Sequence, residues 1–156
     1  MNKKPNFITI AIDFDGTIIK GGQYPDAKNP IPHAIDCLKR LASSDKVRLI
    51  LWSCRDHESD TIAFDNMMRF LDEQGIHFDA VNDNLQYYKD MGFACRKIFA
   101  NVYIDDMVLS IKPNKSIDRF VDKEMADFWN NLYNQIINDA GRDIWVNNIL
   151  NRVVLK

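Results

Sequence analysis

The sequence predicts a three-layer α/β domain, with a parallel sheet covered by helices on both faces and a helical C-terminal extension. Three observations carry this. Short β-branched apolar runs at Phe7–Ile12, Val47–Trp52 and Asn101–Ile104 have the unbroken hydrophobicity of strands buried on both faces. Helix-period stretches lie between them, as in βαβ units. The chain has 156 residues, which fits one domain better than two.

Each element has a local reason. Gly16, Gly21-Gly22 and Pro25 break the pattern after the first strand into a loop. Pro30 and Pro32 then precede Ala34, Ile35, Leu38, Leu41 and Ala42, whose spacing is helical. After the second strand a helix is expected from about Glu58 to Gln74, with Phe64, Met67, Met68 and Leu71 on one face and Gly75 as its stop. Phe78–Val81 is a short strand and Asn84–Met91 a weak helix. Past Pro113, Ile117, Phe120, Val121, Phe128, Trp129, Leu132 and Ile136 recur at three-four spacing, and Gly141 separates them from a last helix, Ile144 to about Leu155. The division is a core over residues 1–112 and a helical extension over 113–156 packed on it.

Composition excludes several classes. A 46% apolar fraction rules out disorder, and 22 acidic against 20 basic residues give a net charge of −2. That balance provides no global electrostatic footprint for nucleic acid or anionic membrane. No run approaches the ~20 apolar residues of a membrane span, and Phe7–Ile12 is too short for a secretory h-region, so a cytoplasmic location is expected. Cys37, Cys54 and Cys95 are odd in number and irregularly spaced, and read as reduced thiols. His33, His57 and His77 have no metal-ligand spacing.

In open parallel sheets, ligands bind beyond the carboxyl ends of the strands. Those positions carry Asp13-Phe14-Asp15-Gly16-Thr17, Ser53-Cys54-Arg55-Asp56 and Asp105-Asp106. Four carboxylates at two strand ends repel one another unless a cation sits among them, and hard oxygen donors without Cys or His favour Mg²⁺ over zinc. Two acids at i and i+2 can divide phosphoryl transfer: one attacks phosphorus, and the other handles the leaving-group and water protons. Gly16 permits a sharp turn that the Thr17 hydroxyl can support. Arg55 is balanced between contacting substrate phosphate and a surface or capping role. Trp129 and Phe128 are expected to pack the extension against the core.

On these motifs the sequence resembles the haloacid dehalogenase-like superfamily of phosphohydrolases, over about Phe7 to Asp106 in motif order. The resemblance implies a Rossmann-like fold and a Mg²⁺-dependent phosphatase that cleaves a phosphomonoester through an aspartyl-phosphate. Asp13 would be the nucleophile and Asp15 the acid/base, expected to be kept in its acid form by neighbouring carboxylates. The implied metal ligands are Asp13, Asp15 through its backbone carbonyl, Asp105 and Asp106. Thr17, Ser53 and Lys97 would bind phosphate. Lys97 is the choice for the third-motif cation, with Lys89 and Arg96 as alternatives.

Family members often carry a specificity cap after the first motif or between the second and third. Residues 18–52 and 54–96 are already filled by core elements, so none is expected here. Lys20, Gln23, Tyr24 and Lys28 could form a small lid. An open site suits a bulky phosphorylated substrate, a nucleotide or nucleic-acid end being one candidate, or closure by a second copy through the C-terminal helices. A receiver-like, phosphate-responsive module is the alternative reading. It shares the acidic pocket, the hydroxyl and the Lys, but has no need of the second acid in Asp-x-Asp.

Overall fold

The computed structural model describes residues 5–107 and 122–138. The elements run β1 (Ile8–Ile12), α1 (Ala34–Ala42), β2 (Val47–Leu51), α2 (Thr61–Glu73), β3 (Ala80–Val81), α3 (Gln86–Asp90), β4 (Val102–Ile104) and α4 (Asp122–Asn138). The strands form one all-parallel sheet ordered β3-β2-β1-β4, with helices on both faces, a Rossmann-like three-layer architecture. From β1 the chain steps to β2 and β3, then crosses back to place β4 on the other side of β1. The direction of winding therefore reverses beside β1, which is where such sheets open a crevice at their carboxyl ends.

The two faces are unequal. Ile8, Ile10 and Ile12 of β1, Val47, Leu49 and Leu51 of β2 and Ile104 of β4 share one core with Leu38 and Leu41 of α1, Met67 and Leu71 of α2, and Met125, Trp129 and Ile136 of α4. Burying each such aliphatic side chain contributes about 1.5–3 kcal/mol. The other face is thinner among the described residues: Ala11 and Ile50 meet Leu85, Tyr88 and Ile98, and the Thr9 hydroxyl bonds to that of Tyr88 at 3.0 Å.

Local chemistry sets the boundaries. α2 begins at Thr61, three residues after the expected start. Asp60 caps it by accepting from the Ala63 amide at 3.0 Å, and Asp56 holds the Glu58 amide at 2.7 Å in a turn. Gly75, at φ +68°, closes it as expected. β3 is shorter than Phe78–Val81 because the Asp79 carboxylate takes the Leu49 amide at 2.7 Å in place of a backbone acceptor. α3 is a single turn, Gln86–Asp90. α4 packs on α1 with Trp129 fully buried, as expected for the extension, whereas Phe128 stays exposed. Pro113, Ile117, Phe120, Val121, Gly141 and the helix from Ile144 lie outside the described residues. Among the described residues, no helix is long and apolar enough to cross a membrane.

Candidate active site

The first strand leaves the sheet at Asp13, whose amide donates to the Ile104 carbonyl at 2.9 Å, so the ends of β1 and β4 are tied together. The chain then turns back on itself: the Thr17, Ile18 and Ile19 amides all point to the Phe14 carbonyl, and the Gly16 amide to that of Ile19. Gly16 has φ +81°, and a Cβ there would stand 2.6 Å from Asp106 Oδ2. Glycine is needed for the turn and for the close approach of β4's acid.

Carboxylate oxygens of Asp13, Asp105 and Asp106 lie within 4.8 Å of one another. Asp106 is buried and the other two are half-buried. Burial, then the charges of Asp105 and Asp106, push the Asp13 carboxyl up from 3.8 to about 7, against hydrogen bonds from Phe14 and Thr17. A cluster of hard oxygens whose charges oppose one another is the donor set that a divalent cation relieves, so these three residues fit a metal. Their chemistry suits Mg²⁺ without being unique to it.

Asp15 takes no part in that cluster through its side chain. Arg55 Nε donates to Oδ2 at 2.8 Å and Nη2 to Oδ1 at 2.7 Å, a bidentate pair. The expectation that neighbouring carboxylates govern Asp15 is thus corrected, because its side chain faces a guanidinium. Only 1% of the Arg55 side chain is exposed. Its remaining donors reach the Pro25 carbonyl at 2.7 Å, Ala63 at 3.1 Å and Asp26 at 2.7 Å, so all five N–H groups are used. Its guanidinium also lies over the rings of Phe14 and Tyr24. Of the residues expected to form a lid, Tyr24 is tied down, whereas Gln23 and Lys28 bond within their own loop. Tyr24 bonds to Asp60, Asn66 reaches the Pro25 carbonyl at 3.2 Å, and Gln23 accepts from Asn29 at 2.9 Å.

Thr17 is fully buried, donating to Asp13 Oδ2 at 3.2 Å and accepting from the Asp106 amide at 3.0 Å. The expected phosphate-binding role gives way to a positioning one, because the hydroxyl is used in both directions and closed to solvent. Ser53 keeps its expected place at the end of β2. Its Oγ accepts from the Arg55 amide at 3.2 Å, which leaves the hydroxyl proton for another acceptor. Lys97 has an exposed side chain; its carbonyl accepts from Asn84 at 3.0 Å. Lys89 is engaged with Asp83. Lys97 is therefore the less committed of the two.

Two supports escaped sequence reasoning, and a third, Trp129, was expected only to pack the extension. Asn82, at φ +50°, accepts from the Ser53 amide at 2.8 Å and donates to the Arg55 carbonyl at 3.0 Å, fixing the loop after β2. Buried Asn84 donates to the Cys95 and Lys97 carbonyls and accepts from the Phe99 amide at 2.6 Å, fixing the segment that carries Lys97. Trp129 Nε1 donates to the Thr17 carbonyl at 2.7 Å, so α4 braces the Asp-x-Asp-Gly-Thr loop. The only local signal was the Asn-x-Asn pattern directly after β3.

No family model and no curated protein matches the chain. Among solved structures, a conserved protein coded by a locus from Bacteroides thetaiotaomicron is similar at 33% identity, over 86% of this chain and 93% of that one, with a TM-score of 0.59. At that identity and coverage, the chain belongs to the same family as this conserved Bacteroides thetaiotaomicron protein.

Proposed function

We propose that this protein is a Mg²⁺-dependent phosphatase of the haloacid dehalogenase-like type, hydrolysing a phosphomonoester through an aspartyl-phosphate on Asp13. One observation carries the reading. Asp13 sits with Asp105 and Asp106 at the crevice beside β1, while Asp15, two residues on, is held apart by Arg55.

Asp13, Asp105 and Asp106 would hold the metal, with the Asp15 backbone carbonyl as a further oxygen. When bound, Mg²⁺ offsets the charge of the carboxylates and of a phosphoryl oxygen. Ionised Asp13 attacks phosphorus, forming an O–P bond as the ester P–O bond breaks. The leaving oxygen takes a proton that Asp15 first draws from solvent, on an oxygen lone pair that Arg55 leaves free. In the second step Asp15 accepts a proton from the water that attacks phosphorus, and Asp13 departs as a carboxylate. The bidentate pair with Arg55 uses one lone pair on each Asp15 oxygen, and the others remain for the proton. Ser53 donates to a phosphoryl oxygen, and Lys97 contributes positive charge. A cytoplasmic setting agrees with free thiols at Cys37, Cys54 and Cys95.

The test is a Mg²⁺-supplemented assay over phosphorylated sugars, nucleotides and oligonucleotide ends, with EDTA as control. Metal-dependent phosphate release is expected. Failure across the panel, with a phospho-Asp13 that persists for hours after acetyl phosphate treatment, would replace the enzyme with a receiver-like module.

A further inference from the structure

Beside the carboxylates the sheet carries two half-exposed aromatic rings that no step above employs. The parallel register pairs Ile12 with Leu51 and with Ile104, and Ala11 with Ile50 and with Tyr103. Continued by one residue, it sets Trp52 and Asp105 on either side of Asp13; the Trp52 amide donates to the Ile12 carbonyl at 2.8 Å. Because side chains alternate along a strand, Ala11, Tyr103, Asp13, Asp105 and Trp52 belong to one face. It is the thin face, covered among the described residues by α3 and the segment around Ile98.

The Trp52 and Tyr103 ring centroids are 5.7 Å apart and the planes tilt by 59°. The residue between their strands is Ala11, itself buried. Covering Ala11 would explain rings that are closed to solvent, yet Trp52 is 41% and Tyr103 38% exposed. Tyr103 is also locked in place: its hydroxyl donates to the Ile98 carbonyl at 2.6 Å and accepts from the Ala100 amide at 3.3 Å. An exposed aromatic pair, with Trp52 level with Asp13 and Tyr103 one row below and held by its hydroxyl, is a stacking surface beside that carboxylate.

We propose that Trp52 and Tyr103 bind a flat aromatic group on the alcohol side of the phosphomonoester, a nucleobase being the fitting class. The inference rests on the phosphatase reading for its place in turnover, though the stacking itself does not. Neither Lys20 nor the tied-down Tyr24 loop is needed for this selectivity. It arises from the sheet face, next to the nucleophile.

The experiment compares adenosine 5′-monophosphate with ribose 5-phosphate, which share the scissile ester and differ by the base. The expected wild-type kcat/KM ratio is tenfold or more, falling to near one in Trp52→Ala and largely kept in Trp52→Phe. In parallel, adenosine 5′-monophosphate should quench tryptophan fluorescence of Asp13→Asn protein in Mg²⁺ where ribose 5-phosphate does not, and Trp52→Phe should remove the quench. Equal wild-type turnover of both esters overturns the stacking surface and leaves the phosphatase reading standing. Turnover of neither, with a Trp52-dependent quench, supports the surface and counts against its place in turnover, the enzyme reading being decided by the full panel; no quench by either ligand overturns the surface.

Discussion

Asp13 and Asp15 are two residues apart, yet their surroundings are opposite. Asp13 is half-buried among other carboxylates with no cationic side chain among its hydrogen-bond or charge partners in the described residues, and its proton is held up to about 7. Asp15 has a guanidinium on both oxygens, and that guanidinium is itself saturated by three carbonyls from a loop and a helix. One acid is left for a mobile cation to neutralise, and the other carries a permanent counter-charge. The Asp-x-Asp spacing alone does not create this division. It comes from which strand neighbours each acid meets, β4 for Asp13 and the loop after β2 for Asp15.

Removing the nucleophile attacks one side of that contrast directly. Asp13→Asn is expected to lower Mg²⁺-dependent kcat by about 10⁴-fold, read as steady-state phosphate release. Retained turnover would move the nucleophile elsewhere.

The next effect is on stability. Without a cation, folded Asp13 keeps a proton that the unfolded chain surrenders near 3.8, so stability should fall as pH rises from about 4 to 7 and then level off. The full shift corresponds to about 4 kcal/mol. Denaturant melts across that range should show the slope, Asp13→Asn should flatten it, and saturating Mg²⁺ should restore stability at pH 7.

Arg55→Lys sharpens the other side. A lysine cannot reproduce the bidentate pair, so Asp15 loses its alignment. Hydrolysis of alkyl phosphates, which need a proton on the departing oxygen, should drop about 10²-fold. A nitrophenyl ester, whose leaving group needs little help, should lose less than about tenfold. Equal losses on both esters would make Arg55 a support of the fold rather than of Asp15.

The smallest effect is at the brace between α4 and the loop. Trp129→Phe keeps an aromatic ring but gives up part of the indole's volume and leaves the buried Thr17 carbonyl without its donor, the lost bond alone costing about 1–2 kcal/mol. Chemical denaturation measures it. No change would mean that the carbonyl finds another partner.

Much of the frame was legible because it is written locally. β1, β2 and β4 announce themselves as unbroken apolar runs, Gly75 ends α2, and the acids follow the strands they terminate. The positions of Asp13, Asp105 and Asp106 followed from that order once the sheet was parallel. The partners of Asp15 and Thr17 did not, since they are properties of contact across the fold. Arg55 lies 40 residues from Asp15 and Trp129 lies 112 from Thr17, and neither pairing leaves a periodicity to read. Asn82 and Asn84 left only the Asn-x-Asn pattern after β3, since amide side chains that satisfy backbone groups elsewhere resemble ordinary turn residues in sequence. The late start of α2 was a matter of rival caps, Asp56 and Asp60, which only geometry ranks.

The brace from Trp129 has a consequence in time. A ribosome makes the chain from its N-terminus, so the Asp-x-Asp-Gly-Thr loop emerges long before α4, Thr17 preceding Trp129 by 112 residues. Until α4 docks, the Thr17 carbonyl lacks the donor that completes its turn. The nascent protein can lay down its first strands early, but the loop that bears both acids reaches its finished form only once α4 has been made and has docked. Chemistry encoded in one stretch of the message is thereby withheld until a stretch far downstream has been read.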